Sequence, residues 1–127
     1  MPSAQPEKIF NDLFRAVDHL DLAAVAGLLA DDVALVDELT KKWLRRKEVV
    51  LAYLAPTFAA MQSIRYTLYD LHVSVGTDVA TVTCMLDQTY VLDGKSTTIR
   101  APTTSTLRRV NENWRIVVMQ SVPFAED

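Results

Sequence analysis

The sequence predicts an α+β domain, with helices in its first half and long strands in its second. In the first half, apolar residues recur at helical spacing. In the second half, apolar and polar residues alternate, and Thr, Val and Tyr are frequent. Half of the 127 residues are hydrophobic and 23% are charged, which is typical of a chain that folds around a core. We therefore predict a single domain over residues 1–127.

Two helices are predicted near the start of the chain. The first has an apolar stripe from Ile9 to Val17 with a period near 3.6 residues, and Pro6 suits its first turn. Asp21 is a good N-cap for the second helix, which we expect to end before Asp31. A short strand over 33–36 should follow.

A third helix is predicted to open near Arg46, again from the spacing of apolar residues. Pro56 lies inside this helix and removes one backbone donor, so we expect a kink or a restart there.

Four strands are predicted after this helix, over 64–75, 79–92, 96–110 and 114–122. Short turn sequences separate them, which predicts an antiparallel meander. Pro102 lies within the third of these strands and predicts a bulge or bend.

The strand over 79–92 is unusual because neither of its faces looks like a solvent face. One face runs from Val79 to Asp87 and the other from Ala80 to Gln88, and both are largely apolar or small. One face should pack on the helices. We expect the other to be covered by a second copy of the chain, in a homodimer formed through the sheet.

Composition argues against several classes of function. The net charge of −3 disfavours a nucleic-acid partner, and no apolar run approaches the ~20 residues that span a membrane. The chain start lacks the apolar core of a secretory signal, so the cytoplasm is the expected location. The lone Cys84 and the absence of metal-like ligand spacings predict no disulfide, no metal site and no cofactor.

Three stretches of the chain resemble the nuclear transport factor 2-like superfamily, also called the cystatin-like α+β cone. They are 20–33 (LDLAAVAGLLADDV), 43–50 (WLRRKEVV) and 107–118 (LRRVNENWRIVV). Arg46 stands where the family usually has glycine. Within the superfamily, the chain is most similar to the SnoaL-like, polyketide-cyclase-associated branch.

The resemblance implies a strongly bent, mainly antiparallel sheet whose concave side holds three N-terminal helices and an internal cavity. Such cavities are mostly apolar and have a few placed polar groups. The residues expected to line it are Phe14, Trp43, Tyr53, Phe58, Met85, Asp87, Thr104 and Gln120.

Asp37 is the candidate catalytic residue. It matches the position of the general base in the ketosteroid isomerase branch, which moves a proton between carbons next to a carbonyl. The same resemblance puts Leu13 and Thr104 where that branch has its two oxyanion donors, so steroid isomerisation is not expected. The alternative for Asp37 is a loop carboxylate beside Lys41 or Lys42.

Other polar residues leave alternatives open. Asp87 is either a pocket acid or the partner of Arg100 or Arg108 across the sheet, and the ion pair is the favoured alternative. Gln120 either orients a ligand or lies outward near a strand end. His72 could act as a general base that is paired with Asp70. The simpler alternative is that it belongs to the ordinary surface of the strand.

Two hypotheses of function follow. The first is a cone domain that binds a small apolar or amphipathic molecule without catalysis. The alternative is a cofactor-free isomerase, cyclase or dehydratase that acts on a polyketide-like or β-dicarbonyl compound, with Asp37 as general base.

Overall fold

The computed structural model describes residues 5–37 and 39–123, which form three helices and one six-stranded sheet. In chain order the elements are α1 (Pro6–Asp18), α2 (Leu22–Leu28), β1 (Leu29–Val36), β2 (Leu44–Arg45), α3 (Lys47–Ala60), β3 (Met61–Val75), β4 (Val79–Leu92), β5 (Lys95–Val110) and β6 (Asn113–Ser121). The sheet order is β2–β1–β6–β5–β4–β3, and only β1 and β6 are parallel neighbours. The predicted α+β class is confirmed.

The first two helices form where the apolar spacing predicts them. Pro6 occupies the first turn of α1, and the stripe that contains Phe10 is buried. The Asp21 carboxylate caps α2 by accepting a hydrogen bond from the Ala24 amide at 3.1 Å. Helix α2 ends at Leu28, and β1 begins directly at Leu29, four residues earlier than the sequence indicated.

Helix α3 begins after a residue in a backbone conformation that favours glycine. Arg46 has φ of 79°, in a region where a non-glycine residue is strained by about 1–3 kcal/mol. Its amide donates to the Val33 carbonyl at 2.8 Å, and its guanidinium pairs with Glu48. These contacts hold the start of α3 against β1. The helix then continues through Pro56, so the predicted restart there was wrong.

The β4–β5 pairing is regular, and the bulge predicted at Pro102 was wrong. The β4–β5 register runs without a shift through the pair of Met85 and Pro102. On its other side β5 pairs with β6 only from Thr103 onward, so the missing proline N–H falls where β5 has no neighbour. Register shifts lie instead in the β3–β4 pairing, near Met61 and between Tyr69 and His72, and in the β5–β6 pairing after Thr106.

The two faces of the sheet differ in burial. We call the face that packs on the helices the inner face; in β4 it contains Ala80, Val82, Cys84 and Leu86, all buried. The alternate residues form the outer face, on which Val79 is 51% exposed. No described part of the chain covers this outer face. Among the described residues, no helix combines the length and apolar character needed to cross a membrane.

Candidate functional site

A cavity of about 120 Å³ lies between the inner face of the sheet and the helices. Most of its lining is apolar and comes from α1, α2, α3 and the strands. Six polar side chains also reach it: Asp37, Tyr53, Thr57, Gln88, Tyr90 and Ser121. An apolar enclosure with a few polar groups is the usual composition of a small-molecule site.

Aromatic packing fixes one wall of this cavity. The Phe14 ring contacts Phe10 edge-on at a centroid distance of 5.2 Å and Tyr66 at 5.4 Å. These contacts fix the orientation of the Phe14 ring, which lines the cavity from α1. Phe58 lines it from α3.

Asp37 follows the last residue of β1 and is half-buried at the mouth of the cavity, next to the partly exposed Leu39. Its Oδ1 accepts hydrogen bonds from the Leu39 and Thr40 amides, both at 2.9 Å. The Asp37 amide in turn donates to the Thr40 hydroxyl oxygen at 3.0 Å. This turn fixes the direction of the carboxylate.

The lysines after Asp37 do not neutralise it. Lys41 contacts it through the backbone alone, since its amide donates to the Asp37 carbonyl at 3.1 Å. Among ion pairs between described residues, none joins Asp37 to Lys41 or Lys42. The carboxylate therefore belongs to the cavity wall rather than to a surface ion pair.

A hydrogen-bonded pair of hydroxyls lies on the wall beside Asp37. The Ser121 and Thr103 hydroxyl oxygens are 3.0 Å apart, and Thr103 donates to the Ala101 carbonyl at 3.3 Å. Ser121 lines the cavity, whereas Thr103 is 1% exposed behind it. Sequence reasoning missed both residues.

Four of the nine site residues that the sequence predicts line this cavity. Asp37, Phe14, Tyr53 and Phe58 line it, whereas Trp43, Met85, Asp87, Thr104 and Gln120 do not. Four of the residues outside the cavity share one cause, because they occupy the outer-face positions of their strands. Met85 pairs with Pro102, and Thr104 pairs with Gln120, all on the side away from the helices.

Asp87 illustrates the difference between the faces. Its carboxylate accepts hydrogen bonds from Arg100 Nε at 3.0 Å and from the Tyr69 hydroxyl at 3.2 Å. Arg100 and, to a lesser degree, Tyr69 hold the pKa of Asp87 below its ordinary range. The ion pair, rather than the pocket acid, is therefore the arrangement in the structure.

Trp43 lies outside the cavity for a different reason. It precedes β2 in the loop and is 41% exposed, with the Arg45 guanidinium 5.6 Å from its ring centroid.

The remaining reactive side chains also lie away from the cavity. His72 and Asp70 are 3.1 Å apart, and both are exposed on β3. Cys84 is buried on the inner face, where burial and then the Asp70 charge raise the pKa of its thiol to about 11. No group of three His, Cys, Asp or Glu residues within 5–37 and 39–123 could hold a metal ion.

Gln88 is another polar lining residue that the sequence analysis did not predict. It follows the buried Leu86 on the inner face, and within the described chain its side chain makes no hydrogen bond. The signal that could have found it is its parity in β4, once the apolar run from Ala80 to Leu86 is assigned to the helix side.

Solved structures with the same fold include three with proposed or related activities. A proposed dehydratase of the nuclear transport factor 2-like family from Streptomyces avermitilis superposes with a TM-score of 0.84 at 21% identity, covering 96% of this chain and 95% of that one. A proposed aromatic ring hydroxylase from Novosphingobium aromaticivorans has a TM-score of 0.86 at 17% identity, with coverage of 94% and 87%. A ketosteroid isomerase-like protein from Erwinia carotovora atroseptica has a TM-score of 0.79 at 17% identity and covers 94% of each chain.

These identities establish a shared fold and not a shared reaction. A comparison with curated proteins found no match. Residues 7–125 match the sequence profile of the SnoaL-like domain. The chain therefore belongs to the SnoaL-like domain family.

Proposed function

We propose that this protein binds a small, largely apolar molecule in the cavity between the inner face and the helices. The observation that carries the proposal is the cavity itself, about 120 Å³ of unfilled volume with an apolar wall. An apolar cavity of roughly 150 Å³ binds benzene. One aromatic ring or a short branched chain is therefore the size of group that this cavity suits.

Polar side chains at two levels of the cavity support a ligand with a defined orientation. Gln88 is opposite Ile99, and Ser121 is opposite Thr103, four residues further along β5. At about 3.4 Å per residue, the two levels are roughly 14 Å apart along the strand. A ring-sized molecule is too short to reach both, so its polar atom would contact one level while its apolar body contacts the wall.

Titration with toluene, followed by methyl NMR, tests this proposal. We expect shifts confined to lining methyls such as those of Leu13 and Leu86. Leu54→Trp should abolish them by filling the cavity, whereas Ala55→Trp adds the same ring to an exposed neighbour and should not. Shifts that are absent, or scattered over the surface in all three proteins, would contradict the proposal.

A second candidate function is cofactor-free proton transfer, as in an isomerase, cyclase or dehydratase, with Asp37 as the base. The observation in its favour is that the Asp37 carboxylate lines an apolar cavity. Against it, Leu13 lines the cavity where the ketosteroid isomerase branch has a donor, and Thr104 lies on the outer face. An enolate would therefore lack donors from both positions, which favours binding without catalysis.

Proton exchange in a β-dicarbonyl compound separates the two functions. We would incubate 3-methyl-2,4-pentanedione in D₂O and follow loss of the C–H signal between its two carbonyls by NMR. If Asp37 is a base, the protein accelerates exchange, Asp37→Asn abolishes the acceleration, and Asp32→Asn preserves it, since Asp32 pairs with Arg108 outside the cavity. Equal rates with and without protein would leave binding as the function.

We also propose that the outer face associates with a second copy of this chain. Its support is the uncovered apolar surface, including Tyr69 at 38% exposure, Val79 and the half-buried Met85. A dimer interface of standard size buries about 800 Å² of surface per subunit. Light scattering should give twice the chain mass of 14.2 kDa. Met85→Lys should halve that mass, while Glu7→Lys on α1 should not; a wild-type monomer at micromolar concentration would refute the dimer.

A further inference from the structure

Asp37 and Ser121 leave the sheet side by side. Strands β1 and β6 are parallel neighbours, with Leu35 opposite Met119 and Val36 opposite Gln120. Asp37 follows Val36, Ser121 follows Gln120, and both residues line the cavity. The register therefore places these two side chains next to each other on the cavity wall, and we call this pair the polar corner.

The proton of the Ser121 hydroxyl is committed away from the cavity. Thr103 has one hydroxyl proton, which it donates to the Ala101 carbonyl, an acceptor only. The proton shared between the two hydroxyls therefore comes from Ser121, which donates to the Thr103 oxygen. Toward the cavity, the Ser121 hydroxyl oxygen can therefore only accept hydrogen bonds.

The Asp37 carboxylate also offers acceptors alone. Its Oδ1 is already directed by the Leu39 and Thr40 amides, and no lysine pairs with it among the described residues. A carboxylate beside a hydroxyl whose proton is used presents lone pairs and negative charge to a ligand. An anionic or acceptor-only group placed there would meet repulsion and would leave its own acceptors unsatisfied.

We propose that the ligand's polar head is a hydrogen-bond donor, a hydroxyl or an ammonium, received by Asp37 and Ser121. Thr103 is a positioning residue, because it turns the Ser121 lone pairs toward the ligand. This inference rests on the proposed small-molecule function of the same cavity and names the chemical class of its ligand.

Benzyl alcohol and anisole make the sharpest test, since they are isomers of which only the alcohol donates. A merely apolar cavity prefers anisole, because burying a hydroxyl without a partner is costly. We expect the wild-type protein to prefer benzyl alcohol, measured as the ratio of the two dissociation constants by NMR titration. Benzylamine, titrated in parallel, distinguishes an ammonium from a hydroxyl.

Two substitutions, each with a matched control, show whether the named groups set this preference. Thr103→Val frees the Ser121 proton and should shift the ratio about tenfold toward anisole, whereas Thr104→Val on the outer face should leave it unchanged. Asp37→Asn keeps the Oδ1 contacts of the turn and should weaken benzylamine about tenfold, whereas Asp32→Asn should not. If Thr103→Val does not fold, Ser121→Ala serves the same purpose, since it removes the acceptor itself.

The results separate this inference from the function on which it rests. Preference for anisole in the wild type, or a ratio that Thr103→Val and Ser121→Ala leave unchanged, overturns the donor class while the cavity remains a binding site. Failure of all three probes to bind while toluene binds overturns the donor class alone, and failure of toluene as well overturns both.

Discussion

The two faces of β4 come from alternate residues of the same strand, yet the structure uses them in opposite ways. Leu86 on the inner face is buried against the helices and lines the cavity, whereas its neighbour Met85 is half-buried on the outer face. The inner face is the more apolar of the two, but each face carries a polar candidate beside this pair, Asp87 on the outer face and Gln88 on the inner face. A functional role assigned from residue type alone can therefore fall on the wrong one of two adjacent strand residues.

The same contrast separates two aspartates. Asp37 is oriented by two backbone amides beside an apolar cavity, while Asp87 is held by a guanidinium on the outer face. Backbone donors leave the carboxylate available to a ligand, whereas a guanidinium occupies it. The partner of an acid, more than its place in a motif, decides whether it is available for function.

The largest expected effect is on stability, from truncating the neighbours Leu86 and Met85. Leu86→Ala should lower the free energy of unfolding by about 2–5 kcal/mol, because it removes buried methyl groups and enlarges a cavity. Met85→Ala should lower it by about 1 kcal/mol or less, since much of that side chain is accessible in the isolated chain. Urea unfolding measures both. At protein concentrations low enough to dissociate the proposed dimer, equal losses would mean that Met85 is as well covered within the chain as Leu86.

Thiol reactivity extends the comparison to the next pair of positions. The pKa of Cys84 is raised from 9.0 to about 11, which makes its thiolate about a hundredfold scarcer at pH 8. It should react slowly with a disulfide reagent until the protein unfolds. A Thr83→Cys, Cys84→Ala variant moves the thiol to the exposed outer face and should react rapidly. Fast modification of native wild-type protein would contradict the burial of this residue.

A smaller effect is expected from the turn that holds Asp37. Asp37→Ala removes the acceptor of two backbone amides and should cost about 1–2 kcal/mol of stability. Asp37→Asn keeps an oxygen at that position and should cost less than about 0.5 kcal/mol. Thermal unfolding distinguishes them. Equal destabilisation by the two variants would show that charge, rather than the hydrogen bonds, stabilises the turn.

The smallest effect is the pH dependence of the outer-face pair. Arg100 lowers the pKa of Asp87, so the pair stabilises the folded state above the unfolded pKa of about 3.9. That stabilisation is lost as pH falls through the lower folded-state pKa. Carboxyl NMR should show Asp87 titrating below the ordinary aspartate range, and Arg100→Gln should return it toward that range. An unchanged titration in Arg100→Gln would assign the shift to Tyr69 instead.

Much of the fold follows from local patterns in the sequence. The stripe of α1, the Asp21 cap of α2 and the turns between the long strands each depend on neighbouring residues, and all appear where the patterns predicted them. The bulge predicted at Pro102 was wrong because a proline disturbs a strand only where its missing N–H faces another strand. The neighbour on that side is β6, which is distant in sequence and pairs with β5 only from Thr103 onward.

The sequence by itself determined the α+β class, the family and the acid at the end of β1. Only the tertiary structure decided which parity of β4 faces the helices, and this excluded Asp87 from the cavity and brought Gln88 into it. The physical reason is that Asp87 and Gln88 are adjacent polar residues on opposite faces, and only the packing of the helices on the more apolar face fixes which of them enters the cavity. The polar corner of Asp37 and Ser121 depends in the same way on a parallel contact between residues more than 80 positions apart.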